Sequence, residues 1–171
     1  MTRLHGLDVD AVVQVQGRLS GAGFLQGARL LSAFGEHAWG WTAICLAGAA
    51  VDRERRGDWL RATAAVVGAH GVSIALKRLV RRHRPDDERV RVHGTTSSDW
   101  SFPSSHAAST TAAAVACSRL LGRRWPWAVV PAMMVSRVAL GVHYPGDVAA
   151  GGVIGAVLGR WLVPARVDPL A

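Results

Sequence analysis

Three short polar stretches of this 171-residue chain hold the residue types that could do chemistry together. The first runs Lys77-Arg78-Leu79-Val80-Arg81-Arg82-His83-Arg84-Pro85 and the second is Pro103-Ser104-Ser105-His106. The third begins Ser136-Arg137 and ends Val142-His143-Tyr144-Pro145-Gly146-Asp147. Lys77, Arg84 and Arg137 are cations, and His106 and His143 can hold or move a proton near neutral pH. Gathered in one pocket, these five groups repel one another unless a multiply charged anion joins them. Phosphate is the obvious anion, because guanidinium and ammonium donors match its oxygens. Arg137 stands inside an otherwise apolar stretch, where an unpaired charge near the centre of a bilayer would cost roughly 2.5–3.5 kcal/mol. It should therefore lie toward a helix end and meet an anion.

Five Ala/Gly-rich apolar stretches must position these residues: His37–Val51, Leu60–Val80, Ser104–Leu121, Pro126–Val142 and Val148–Val163. None reaches about 18 consecutive uncharged apolar residues, so no single stretch settles a transmembrane assignment. If they cross a bilayer in turn, the end of the second, the start of the third, the end of the fourth and the start of the fifth share one face. Those are the places of Lys77 to Arg84, Ser104 to His106, Arg137 to His143, and Asp147. The seven tryptophans (Trp39, Trp41, Trp59, Trp100, Trp125, Trp127 and Trp161) all fall near segment ends. An aromatic belt at headgroup level is arranged that way, since an indole has one wet edge and one apolar face. Gly151, Gly155 and Gly159 repeat every fourth residue, a small-residue seam that lets membrane helices approach closely and through which copies of the chain could associate.

The expected fold class is all-α: an integral membrane helical bundle of about five transmembrane helices. Residues 1–35 would form one or two amphipathic interfacial helices, 36–165 the transmembrane core and 166–171 a short tail, one domain overall. Asp8–Leu19 opens with acidic residues suited to a helix N-terminus, and Phe24–Phe34 is of similar make-up. No basic segment precedes a long apolar run, so no cleavable signal peptide is expected. A mean hydropathy of only +0.19 keeps a soluble all-α domain as the competing reading.

With half its residues hydrophobic, the chain is not disordered. Its two cysteines, Cys45 and Cys117, sit in apolar runs, which excludes a disulfide-stapled scaffold and reads as two small buried hydrophobes. The formal charge is +8, and all the basic residues except Lys77 are arginine. An apolar, Arg-rich chain fits contact with anionic lipid or phosphate as well as with nucleic acid, so charge does not choose between them.

Taken in order, the three polar stretches resemble the signature of the type 2 phosphatidic acid phosphatase superfamily, which also includes bacterial acid phosphatases and vanadium haloperoxidases. That signature is a lysine, six intervening residues and Arg-Pro; then Pro-Ser-Gly-His; then Ser-Arg, a His six residues after the Arg and an Asp four beyond it. The first and third blocks match in type and spacing, and the second reads Pro-Ser-Ser-His.

The resemblance implies roles. His143 would attack phosphorus in line and form a phosphohistidine, with Asp147 accepting its other ring N–H. His106 would protonate the leaving oxygen and then deprotonate the hydrolytic water. Lys77, Arg84 and Arg137 would hold the equatorial oxygens, and Ser104, with the backbone N–H groups of Ser105 and His106 at a helix start, would add neutral donors. No metal and no cofactor is expected, because cations already fill that role and no carboxylate cluster is present to bind one. Ser105 departs from the usual glycine. It is harmless if the position only presents its N–H and strained if it needs positive φ.

Read singly, Arg81, Arg82, Arg89 and Arg91 are expected to form a solvated or headgroup-facing loop, and His83 and His93 to be loop residues. His70 is expected to serve helix packing and Tyr144 to be an interfacial anchor, while His5 and His37 carry no signal. The implied activity is that of a membrane lipid phosphatase, with a lipid phosphate and the bilayer as partners and no nucleic acid. Prenyl-linked substrates come first: undecaprenyl or decaprenyl phosphate or diphosphate, or decaprenylphosphoryl-5-phosphoribose. Phosphatidic acid and phosphatidylglycerol phosphate come next. The alternatives are a soluble acid phosphatase or vanadate haloperoxidase, and a non-catalytic anionic-lipid binder. The expected location is a bacterial cytoplasmic membrane, with the side of the site undecided by the distribution of basic residues.

Overall fold

Each expected apolar stretch becomes a helix, and those that begin at Ser105 and Pro145 carry identifiable start signals. The computed structural model describes residues 3–165, so the expected tail 166–171 lies outside the described residues. Seven α-helices occur among them: α1 (Arg3–Arg18), α2 (Ala22–Gly35), α3 (Trp39–Val51), α4 (Arg56–Val80), α5 (Ser105–Leu121), α6 (Val129–Ala139) and α7 (Pro145–Leu162). Short 3-10 turns at Glu36–Ala38 and Trp125–Ala128 lead into α3 and α6. The Ser104 hydroxyl oxygen caps α5 by accepting the Ala107 N–H at 3.4 Å, and Gly122, with φ 63°, ends it in the left-handed conformation that costs glycine least. Pro145 opens α7, and Asp147 folds back to accept the Tyr144 N–H at 2.9 Å.

The Ala-rich α5 is the central rod. Every residue from Ser105 to Cys117 is buried, because small side chains let neighbours approach on all sides. Its tightest partner is α7, which runs parallel to it. A Cβ on Gly159 would lie 2.8 Å from the Val115 Cβ, and one on Gly155 would lie 2.9 Å from both the Ala112 nitrogen and the Thr111 Cβ. The glycine seam is therefore filled within one chain. The expectation that copies of the protein associate through Gly151, Gly155 and Gly159 is corrected, since that face is already taken by α5.

Replacing Gly155 with leucine forces α7 off α5 and is expected to cost about 3 kcal/mol. In detergent the melting temperature should fall by on the order of 10 °C. Gly68→Leu on α4, where a Cβ meets open space, should leave it nearly unchanged.

Around the rod, α3, α4, α5 and α7 share a core that includes Cys45, Ala62, Ala65, Val66, Ala112 and Ala116. Both cysteines are free and buried. The first helix starts at Arg3 rather than near Asp8, and it docks. Val9 and Val12 pack with Ala107, Val138, Tyr144 and Val148, while Gln16 hydrogen-bonds the Arg91 and Ala139 carbonyls at 2.6 and 3.0 Å. Leu25 and Ala28 of α2 pack on Leu140 and Val142.

The outer flanks of α4 and α7 carry exposed apolar side chains. Val67, Val153 and Val157 are 52%, 64% and 58% exposed, a surface that water penalises at each position. By length and composition α4 qualifies by itself as a bilayer-crossing helix, and it is the one helix among the described residues that does. Trp39, Trp125 and Trp161 are exposed at helix ends as a belt requires. Trp59 departs from it: it is buried, with its indole N–H donating to Asp52 at 3.0 Å.

Candidate active site

The C-terminal ends of α4 and α6 and the N-terminal ends of α5 and α7 meet at one end of the bundle. Between them lies a cavity of about 440 Å³. Lys77, Arg84, Ser105, His106, Arg137 and His143 all line it. Residues as much as 66 positions apart in the chain are thus neighbours because alternate helices run in opposite directions.

Two of the three cations are held by main-chain oxygens. Lys77, the last buried residue of α4, donates from Nζ to the Trp100 carbonyl at 2.8 Å and the Ser101 carbonyl at 3.2 Å. These bonds tie the 81–104 connection over the cavity. Arg84 donates from Nε to the Ser98 carbonyl at 2.7 Å and from Nη1 to the Val142 carbonyl at 2.6 Å, which brings Nη1 to 3.3 Å from His143 Nε2. Arg137 is 2% exposed, donates from Nη1 to the Ser32 hydroxyl and leaves its buried Nε without a hydrogen-bond partner. A guanidinium so placed has donors to spare for an anion.

The two imidazoles have different surroundings. His143 lies in the turn between α6 and α7, its Nδ1 3.5 Å from Asp147 Oδ2. Burial, and then the charges of Arg137, Arg84, Lys77 and His106, push its pKa well below the ordinary histidine value, so the ring is neutral at neutral pH. Asp147 is fully buried and holds its carboxylate with the Tyr144 N–H on Oδ2 and the Arg82 Nη1 on Oδ1 at 3.0 Å. His106 Nε2 is 3.0 Å from the Ser32 carbonyl oxygen and 3.5 Å from Glu36 Oε2. The hydrogen bond with His106 in turn holds the Glu36 carboxyl below the usual carboxylate range.

Ser105 is the first residue of α5 and is absent from the positive-φ positions, so a serine in place of glycine brings no backbone strain here. Ser104 is not among the residues that line the cavity; its hydroxyl oxygen accepts the Ala107 N–H and caps α5, which leaves the O–H as a donor. Among the described residues no three His, Cys, Asp or Glu side chains are grouped so as to hold a metal ion.

Four residues judged unremarkable in the sequence sit at or behind the site. Arg82 is not a solvated loop residue: it bridges Asp147 and, at 2.7 Å, Asp8 of α1. Tyr144 is not an interfacial anchor. It is 1% exposed, with the Arg82 guanidinium 4.1 Å over its ring. His37 and His70 line the cavity, with ring centroids 6.0 Å apart. Ser32 and Glu36 were not singled out at all. They come from α2 and the turn after it, and nothing in their own neighbourhood of the sequence marks them.

A parallel pair of helix starts carrying two histidines, faced by a lysine and two arginines, defines the class. The PAP2 superfamily profile matches residues 58–169, and the chain belongs to that superfamily, a phosphatase family. Two relatives are similar over most of their length. Decaprenylphosphoryl-5-phosphoribose phosphatase of Mycobacterium tuberculosis is 48% identical, covering 89% of this chain and 86% of that one. The protein of the same name from Mycolicibacterium smegmatis is 49% identical, covering 83% and 80%. Among solved structures, the transmembrane PAP2 type phosphatidylglycerolphosphate phosphatase of Bacillus subtilis superposes with a TM-score of 0.77. It is 20% identical and covers 95% of this chain and 85% of its own, a likeness of fold.

Proposed function

We propose that the protein is an integral membrane phosphatase that removes the terminal phosphate from a prenyl-linked sugar phosphate, of the decaprenylphosphoryl-5-phosphoribose kind, through a phosphohistidine. The observation that carries this reading is the convergence of His143, His106, Lys77, Arg84 and Arg137 on one cavity. Helices α3 to α7 are taken as five spans, with the apolar outer surface against lipid and α1 and α2 at the interface on the site's side. The two mycobacterial relatives support the sugar-linked substrate.

In this mechanism the His143 Nε2 lone pair forms a bond to phosphorus as the P–O ester bond opposite it breaks. His106 gives its proton to the departing sugar oxygen. Asp147 accepts the His143 Nδ1 proton as a hydrogen bond and offsets the charge that grows on the ring. Lys77, Arg84, Arg137 and the N–H groups at the start of α5 stabilise the equatorial oxygens. His106, now neutral, takes a proton from water. The hydroxide adds to phosphorus, the N–P bond breaks, and phosphate leaves.

The remaining lining of the cavity supports a sugar rather than a second phosphoryl group beside the first. Thr96, Ser97 and Ser98 offer hydroxyls there, and Glu36 and Asp99 add carboxylates that accept from sugar hydroxyls and repel an adjacent phosphate.

Purified protein in EDTA should release phosphate from a prenyl-linked sugar monophosphate at least about 100-fold faster than from prenyl diphosphate, a difference near 2.7 kcal/mol in transition-state binding. A preference for phosphatidic acid, or activity that needs an added divalent ion, would overturn this reading.

A further inference from the structure

The nucleophile's support extends one step beyond Asp147, to a residue on the 81–104 connection. Arg82 makes two ion pairs in opposite directions: Nη1 to Asp147 Oδ1 at 3.0 Å and Nη2 to Asp8 Oδ2 at 2.7 Å. Its guanidinium carbon lies over the ring of Tyr144, the residue after His143, 4.1 Å from the centroid. Its carbonyl oxygen accepts the Ser101 N–H at 2.7 Å, which fixes its own backbone. A Cβ on Gly146 would come within 3.7 Å of Arg82 Nη1 and 3.9 Å of the Asp8 carboxylate, so the first turn of α7 borders the place where these groups meet. A guanidinium presents its donors as a rigid fork, and here one tine is on α1 and the other on α7.

We infer that Arg82 is a positioning residue for the attacking imidazole, and that Asp8 makes helix α1 part of the active site's support. With Oδ1 of Asp147 taken by Arg82 and the Tyr144 N–H on Oδ2, the carboxylate plane is fixed and Oδ2 is aimed at His143 Nδ1. The present 3.5 Å separation needs only a small closure to become a hydrogen bond. Ion pairs at a surface contribute little, but Asp147 is fully buried and Arg82 only about a quarter exposed, so this contact is screened far less. Arg82 also offsets the Asp147 charge as felt by His143. The other charged groups facing that ring are Lys77 on α4, Arg84 on the connection, His106 on α5 and Arg137 on α6.

The inference rests on His143 as the attacking group, and His143→Ala tests that separately: if His143→Ala keeps its activity, the site reading fails whatever Arg82 does. With wild-type His143, Arg82→Gln is expected to lower kcat by about 10–100-fold with KM changed less than about threefold, as for other groups that orient a reacting ligand. The acid limb of kcat/KM should move to higher pH, because an Asp147 no longer offset by Arg82 favours protonated His143. Arg82→Lys should recover part of kcat, and Asp8→Asn should lose several-fold. The Asp8/Arg82 double variant should be no worse than Arg82→Gln alone, since the two act through one chain. An Arg82→Gln enzyme with unchanged kcat, a pH limb that does not move, or losses that add in the double variant would each overturn the inference. If Arg82→Gln fails to fold, the kcat losses expected of Asp8→Asn and Arg82→Lys with KM little changed carry the test, and unchanged kcat in both would overturn the inference.

Discussion

Replacing His143 with alanine should lower kcat by about 10⁴–10⁶-fold, the scale seen when a covalent nucleophile is removed and only binding and charge stabilisation remain. The cavity would persist, because the turn carrying residue 143 is fixed by main-chain bonds from Gly141 N to the Val138 carbonyl and from Val142 N to the Arg137 carbonyl. Phosphate should therefore still bind while phosphohistidine no longer forms, and acid quenching with a labelled substrate distinguishes the two. In the parent enzyme the sign of the pH effect follows from the lowered pKa of His143. The neutral ring attacks, so activity falls as pH drops through that pKa, and the acid limb of kcat/KM should lie below the ordinary histidine value of about 6.5. A bound phosphate monoester opposes the surrounding cations and raises the same pKa, so the limb seen in kcat should lie at higher pH than that in kcat/KM. A single limb at or above 6.5 in both would exclude His143 as the titrating nucleophile.

Arg137→Gln should cost kcat/KM about 10²–10³-fold, near 2.7–4 kcal/mol, the range for losing one donor aimed at developing negative charge. Its effect on stability should have the opposite sign in phosphate-free solution. Arg137 is all but inaccessible and, among the described residues, has no carboxylate in ion-pair contact and keeps one N–H unsatisfied, so the unliganded fold carries a buried charge at a cost. The variant should melt higher than the parent without ligand. Inorganic phosphate or vanadate should then raise the melting point of the parent far more than that of the variant, by about 2.7 kcal/mol of added stability at a hundred times Kd. A variant that melts lower, or that gains as much from the anion, would show that Arg137 serves packing.

The helices and the three polar blocks were legible because each rests on local signals: apolar stretches bounded by polar knots, a serine before α5, Pro145 and Asp147 at the start of α7. Alternation of helix direction then brought Lys77, His106, Arg137 and His143 together without further assumptions. What escaped depends on long-range partners. Arg82 is one arginine in a run with Arg81 and Arg84, and nothing nearby says that its side chain turns inward, because both its partners are carboxylates 65 and 74 residues away. Ser32 and Glu36 meet His106 through the docking of α2, which hydropathy alone read as a helix lying on a surface. The glycine seam was seen but its partner was not, since a repeat on one helix does not identify the helix it faces. Ser104, assigned to the anion, also caps a helix, a use of the same hydroxyl that accepts rather than donates.

The close seating of α7 on α5 fixes more than stability. One imidazole rides on α5 and the other on the turn that leads into α7, and the main chains of these two helices are in near contact, so the gap between the rings has little freedom to drift over time or across variants. The rest of the chamber's lining includes a turn at Glu36 and His37, which reaches His106, and an irregular strip at Thr96 to Trp100 whose carbonyls hold Lys77 and Arg84. Spacing of the imidazoles and seating of those two cations therefore depend on different parts of the scaffold. A change in the irregular strip is felt first by Lys77 and Arg84, while the distance between the imidazoles is left to the helix pair.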